Sequence, residues 1–294
     1  SFFDILVFVS PRNRSLIKAT SVLIGTIIGA GVFALPAMFA RVGFWAGTGL
    51  FWGLAAVVTC AHLLLVEISL SYPSKQRQVG YAKEVLGKGG FWIAALTYPL
   101  SSIGMIFAYL LLGGEFLHQL FLFADWNISL LNWQIIFWIS GALVVLLGLK
   151  FVAKIESWAT VLLVGSLLLI SWFALRQASF SEDVSVQWNQ MLVPFGIFLF
   201  SLSGIKIVSE VVDLTRPRRR DALLVVTFGT LIAALLSWIF GASLFFVAEA
   251  DIGHRPIDFI QFLPSWWGWL IPVFGFLAVA TSYVAVAQDL KATF

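Results

Sequence analysis

A chain that crosses lipid must satisfy its backbone N–H and C=O groups internally, because hydrocarbon offers them no partner. The run Gly25-Thr26-Ile27-Ile28-Gly29-Ala30-Gly31-Val32-Phe33-Ala34-Leu35-Pro36 strains that requirement. It lies in the middle of the first long apolar segment, where an uninterrupted membrane helix would carry Leu and Ile. Its glycines weaken a helix through backbone entropy and lost packing, and its proline removes a donor. Two arrangements accommodate the run. In one the helix breaks, and bared N–H groups and carbonyls line a protein-enclosed cavity, reinforced by the dipoles of the half-helices. In the other the glycines form a flat face for close helix packing.

Composition sets the surroundings. Of 294 residues, 60% are hydrophobic and only 11% charged, against about 25% charged in a soluble domain. Mean hydropathy is +0.97. The 28 Phe and 13 Trp suit the lipid face and the interface. A net charge of +3 resides in the loops between apolar segments, so no nucleic-acid partner is expected. The lone Cys60 excludes an internal disulfide and a cysteine metal centre. No Ser/His/Asp set, His-rich metal spacing or Gly-x-x-x-x-Gly-Lys phosphate loop is present, so neither an enzyme nor an organic cofactor is expected.

A spanning helix needs roughly 20 mostly apolar residues. Eight such segments are legible: Leu16–Ala40, Phe44–Ser71, Phe91–Phe123, Trp133–Leu149, Ile155–Leu175, Met191–Leu214, Leu223–Ala248 and Trp266–Leu290. The fold class is therefore an all-α polytopic membrane protein, one transmembrane domain over 1–294. Arg12, Arg14, Lys18, Lys75, Arg77, Lys83, Lys88, Lys150, Lys154, Arg216, Arg218, Arg219, Arg220 and Lys291 fall on one side of the bilayer. Only Arg41, Arg176 and Arg255 fall on the other. That asymmetry places the amino-terminal side in the cytoplasm of a cell (inner or plasma) membrane. The inner loop Tyr72–Gly90 has the pattern of a short amphipathic helix. The outer segments around Glu182 and Asp183, and Ala250–Pro264 with Asp251, His254, Arg255 and Asp258, read as solvated connections or as lids.

The sixth segment repeats the oddity of the first. Pro194 opens it, and Phe200-Ser201-Leu202-Ser203-Gly204 interrupts it near mid-depth. Paired interruptions in two halves of a membrane chain point to a transport site. Breaks in the first and sixth segments imply a five-helix repeat whose second copy is inverted. Residues 16–175 supply one full unit, and 191–290 the first three helices of the next, so the second repeat is expected to be incomplete here.

The glycine run resembles the opening motif of bacterial and archaeal members of the amino acid/auxin permease family. So do Phe195-Gly196-Ile197-Phe198-Leu199-Phe200-Ser201 with Ser209-Glu210-Val211, Tyr109 with Gly113-Gly114-Glu115-Phe116-Leu117, and Thr281-Ser282-Tyr283. That family lies in the amino acid–polyamine–organocation superfamily, whose members share the leucine-transporter 5+5 inverted-repeat fold. The resemblance implies substrate contacts at Thr26, Ile27, Gly29, Ala30, Gly31, Phe200, Ser201, Ser203 and Gly204. In it, the N–H groups of Ala30 and Gly31 take an amino-acid carboxylate at a helix N-terminus. Carbonyls and hydroxyls around Thr26, Phe200, Ser201 and Ser203 take the ammonium, and Phe200 closes as an aromatic lid. Each serine has a plainer alternative, a back-bond to its own helix. The resemblance also implies a sodium ion among Gly25, Ile28, Ala278, Thr281 and Ser282, an oxygen set suited to a hard cation. The Thr281–Ser282 pair is equally an ordinary packing feature.

Lys206 departs from the family pattern, and a lysine at membrane depth is functional by default. It is a candidate proton carrier, a stand-in for a coupling cation, a counter-charge for an acidic substrate side chain, or one half of a helical pair with Glu210. Glu115 is the other proton-relay candidate. Glu67 is expected to pair with inner-loop cations, Asp213 and Asp221 to be loop charges, and His62 and His118 to be core residues. The function expected is secondary transport of neutral or hydrophobic amino acids, coupled to protons or Na+, with a slight preference for protons. The rival is a non-transporting amino-acid sensor or binding subunit of the same fold. The partners are a small-molecule amino acid and the lipid bilayer; the sequence leaves the oligomeric state open.

Overall fold

A computed structural model describes residues 10–72, 78–122, 126, 128–147, 149–178, 188–248 and 269–293. Every regular element among them is helical: α1 (Pro11–Ile27), a 3-10 turn (Ala30–Ala34), α2 (Leu35–Val42), α3 (Phe44–Ser71), α4 (Gln78–Leu122), α5 (Leu130–Leu147), α6 (Leu149–Gln177), a second 3-10 turn (Trp188–Gln190), α7 (Leu192–Leu202), α8 (Ile205–Thr215), α9 (Arg219–Ala248) and α10 (Leu270–Thr293).

Local chemistry sets the ends that matter. Ser10 caps α1, its hydroxyl accepting the Asn13 N–H at 3.3 Å, with Pro11 in the first turn, where its missing donor costs nothing. Pro36 occupies the same kind of position in α2. Gly43 at φ 87° turns the chain from α2 directly into α3, a backbone angle other residues rarely adopt.

Helices occupy the places of all eight expected spans, but not all meet the length. Among the described residues six stretches are long and apolar enough to cross a bilayer, α7 and α8 together being one of them. α1 and α2, bent by 42° at the 3-10 turn, make a seventh. The expected fourth span, Trp133–Leu149, is met by α5, which starts three residues earlier and whose apolar stretch Leu130–Leu146 is at the short end of a crossing length. The third reaches further than expected, because α4 starts at Gln78 and bends at Gly87 (φ 68°), where the inner-loop helix joins the span. The acidic outer segment with Glu182 and Asp183, and Ala250–Pro264, lie outside the described residues.

The helices sort into two groups. α3 and α9 pack on each other and on the two broken spans; α4, α5 and α10 pack together on the far side, with α6 touching α1, α9 and α10. Polar ties bind the first group at the end that carries Arg12, Glu67 and Arg219. Arg12 holds Asp221 with two hydrogen bonds at 2.6 and 2.9 Å, and Arg219 holds Glu67 at 2.6 and 3.1 Å. Arg216 donates to the carbonyls of Ser69 and, at 3.1 Å, Tyr72. Glu67 thus pairs as expected. Asp221 does not behave as a loop charge: it is only 3% exposed, and its helix N-terminus together with Arg12 keeps it inside.

Candidate functional site

Both glycine-containing stretches are broken. The Ile28 N–H still reaches the Ile24 carbonyl at 2.8 Å, but Gly29 is extended (φ −109°, ψ −150°) and its N–H turns to the Ile27 carbonyl at 2.8 Å. Helical bonding resumes with Val32 N–H to the Gly29 carbonyl at 3.3 Å. Between these points the N–H groups of Ala30 and Gly31 meet no acceptor, and the carbonyls of Gly25 and Ile28 meet no N–H, among the described residues. At the second break α7 ends at Leu202 and Ser203 is extended (φ −78°, ψ 111°). The Ser203 N–H folds back to the Phe200 carbonyl at 3.3 Å, and α8 begins with Ile207 N–H on the Gly204 carbonyl at 3.0 Å. The carbonyls of Ser201, Leu202 and Ser203 receive no N–H among the described residues.

The two breaks face each other in contact. A Cβ placed on Gly31 would stand 2.7 Å from Ser201 Cα and 2.8 Å from Ser201 Cβ; one on Gly204 would stand 2.7 Å from Ile27 Cγ1. Unwinding and close glycine packing, alternatives from sequence, therefore occur together. Phe200 lies beside this contact with its ring 6.0 Å from that of Tyr109. On the opposite side of α1 is a cavity of about 20 Å³ lined by Gly25, Thr26, Thr160, Leu163, Thr281, Ser282 and Ala285. That volume suits one water molecule or one ion.

The hydroxyls at the site have spent their protons locally. Thr26 donates to the Val22 carbonyl at 2.8 Å, Ser201 to Phe198 at 2.9 Å, and Thr281 to both Leu277 and Ala278 at 3.0 Å. Such back-bonds leave lone pairs for a cation or an ammonium and withhold donors from an anion. Ser282 Oγ is buried without a hydrogen bond of ordinary geometry, its interaction being with the Tyr109 hydroxyl. A Cβ on Gly29 would stand 2.8 Å from that same oxygen. Ile28 and Ala278 are fully buried beside it.

Lys206 does not pair with Glu210, which stays exposed. Its ammonium instead donates to Ser102 Oγ and lies 4.5 Å over the ring of Tyr98, whose hydroxyl donates to Asp289. The pull comes from α4, where a hydroxyl and a ring face offer what an exposed carboxylate does not. Glu115 is half-buried further along α4 and does not line the cavity. Sequence reasoning passed over Thr160, Leu163 and Ala285; the one available signal was a lone threonine in an apolar fifth span. His62 is a buried, hydrogen-bonded core residue as expected; what the sequence did not indicate is that its Nε2 accepts the Gly204 N–H at 3.2 Å, at the second break.

The chain is similar to MhsT, solved in complex with L-phenylalanine, with a TM-score of 0.66 and 15% identity over 94% of this chain and 72% of that one. At that identity the likeness bears on the fold alone. It is 24% identical to glutamine transporter 2 of Aliivibrio fischeri over 95% of this chain and 74% of the relative. It is 33% identical to the tyrosine-specific transport system 1 of Haemophilus influenzae over 48% of this chain, and 29% identical to a tryptophan-specific transport protein of Shigella flexneri over 50%. Those two alignments span 34% and 36% of the relatives' own lengths. The matching family model runs over residues 12–245, through both broken spans, and the chain accordingly belongs to the tryptophan/tyrosine permease family, integral multi-pass membrane proteins that transport amino acids.

Proposed function

We propose that the chain carries a neutral or hydrophobic amino acid across the membrane by alternating access. The observation that carries this reading is the complementarity of the two breaks: unpaired N–H donors at Ala30 and Gly31, unpaired carbonyls at Ser201, Leu202 and Ser203. A zwitterion has the matching pair of ends. Its carboxylate would take the Ala30 and Gly31 donors at the start of the outer half-helix, and its ammonium the carbonyls opposite. Because Gly31 and Ser201 are in contact, the breaks must part to admit it. On one side of them Phe33 is sealed by the rings of Phe116, Phe240 and Phe274, with centroids 4.9, 5.9 and 5.5 Å away. On the other, Lys206 and Gln78 tie α8 to α4, Gln78 donating to the Ile205 carbonyl at 3.0 Å. Transport opens these closures in turn.

The reading extends to the wider kinship inferred from the motifs, with the amino acid/auxin permeases and the leucine-transporter 5+5 plan, and to a cytoplasmic amino-terminal side. For coupling, the free carbonyl of Gly25 and the oxygens of Thr281 and Ser282, which line an ion-sized cavity, support Na+; Ile28 and Ala278 do not line it, and the Ala278 carbonyl accepts from the Thr281 hydroxyl at 3.0 Å. Proton coupling through Lys206 and Glu115 is the alternative. The test is uptake of tryptophan, tyrosine, phenylalanine and glutamine into proteoliposomes at two pH values, with and without sodium. Strict sodium dependence supports the cavity as the coupling site, and acid stimulation without sodium moves the coupling to the carboxylate or lysine. Binding without counterflow turns the chain into a sensor.

A further inference from the structure

The two breaks solve the same problem differently. A peptide N–H left bare at membrane depth costs several kcal/mol unless something accepts it. At the first break the Ala30 and Gly31 donors stay open. At the second, the Gly204 N–H is already taken by His62 Nε2 at 3.2 Å, from α3. His62 is 1% exposed, and its other nitrogen, Nδ1, lies 3.0 Å from the hydroxyl of Thr230 on α9, itself fully buried.

These contacts determine the state of the ring. Nε2 faces an N–H, so it is the acceptor; the imidazole is neutral and its proton sits on Nδ1, donating to Thr230 Oγ1. A ring protonated on Nε2 would set two donors against each other. The Phe200 carbonyl is already taken by the Ser203 N–H, so without His62 the Gly204 N–H would stay bare beside the Ser201, Leu202 and Ser203 carbonyls, a donor where the substrate ammonium docks.

We propose that His62 is a positioning residue for the second break: by taking the Gly204 N–H it removes the donor nearest the Ser201, Leu202 and Ser203 carbonyls and leaves them to the substrate ammonium, and through Thr230 it fixes the broken span to α3 and α9. This rests on the amino-acid reading of the cradle. Capture of the N–H also makes α3, α7, α8 and α9 move together when the breaks part.

The test combines a substrate-free readout with a transport one, using the full chain in nanodiscs and proteoliposomes. Amide hydrogen exchange at Gly204 should be protected in the wild type and accelerate about tenfold or more in His62→Leu, the loss expected for one buried hydrogen bond. His62→Gln, which carries an acceptor and a donor at similar separation, should restore the protection. In uptake of L-tryptophan, His62→Leu should raise the half-saturating concentration about tenfold with the maximal rate kept within a few-fold. His62→Gln should return it toward wild type. Unchanged exchange at Gly204 in His62→Leu overturns the assignment, as does faster exchange with unaltered half-saturation. If His62→Leu does not fold, Thr230→Val serves in its place: it frees the other tautomer, so Gly204 exchange must accelerate, and wild-type protection there refutes the proposal. Absence of uptake by the wild type with normal Gly204 protection refutes the transport reading and leaves the cap standing.

Discussion

Gly31→Ala is the sharpest probe of the contact between the breaks. The added Cβ would lie 2.7 Å from Ser201 Cα and 2.8 Å from Ser201 Cβ, and 3.1 Å from Phe200 Cδ1. Ordinary carbon contacts lie near 3.5–4.0 Å, so α7 must retreat by roughly 1 Å. Its backbone, unlike a side-chain tip, has no alternative rotamer into which to move. Overpacking of this kind costs about 1–3 kcal/mol. That penalty on the closed arrangement corresponds to roughly a 5- to 150-fold loss of it. Since every cycle passes through that arrangement, counterflow of labelled tryptophan should slow by that factor, with a lower thermal midpoint in detergent. Gly49→Ala is the control, because nothing lies within 4 Å of its Cβ position. Wild-type counterflow and an unchanged midpoint in Gly31→Ala, measured beside that control, would refute the closed contact.

Ser201→Ala should shift half-saturation by no more than about threefold, because the hydroxyl proton already serves the Phe198 carbonyl; a larger loss in uptake would show a direct ligand role. Ser282→Ala and Thr281→Val each remove an oxygen from the cavity rim and should raise the sodium concentration for half-maximal tryptophan binding by about tenfold or more, measured by sodium titration. Arg12→Gln leaves the carboxylate of Asp221 inside without its two-point partner and should lower the thermal midpoint, while the double variant with Asp221→Asn should recover part of it. Lys206→Met removes the tie from α8 to Ser102 and Tyr98, and a single cysteine introduced at Ile205 in a Cys60→Ser background should then label faster from the side of the bilayer that bears Arg12 and Arg219.

The breaks were legible because their causes are local. Gly29, Gly31, Pro36 and Gly204 weaken helix bonding wherever they stand, so position along the chain was enough to locate them. The back-bonding of Ser201 was foreseeable as the plainer alternative for the same reason, since a hydroxyl always has its own helix within reach, and Thr26 and Thr281 do likewise. The partner of Lys206 was not. Helical spacing offered Glu210, but the side chain crosses to α4, and a choice between an intrahelical and an interhelical partner depends on which face is turned inward.

From composition and pattern alone came the membrane setting, the helical class and the two points at which helices must fail, since each follows from the bonding capacity of single residues or short runs. What only the assembled fold decided is which groups confront one another there. Gly204 and His62 are separated by 142 residues, Gly31 and Ser201 by a comparable stretch, and Thr160 reaches the cavity from α6. No local preference encodes such meetings; they arise when distant helices pack closely enough that an unpaired N–H must take whichever acceptor the neighbouring helix presents.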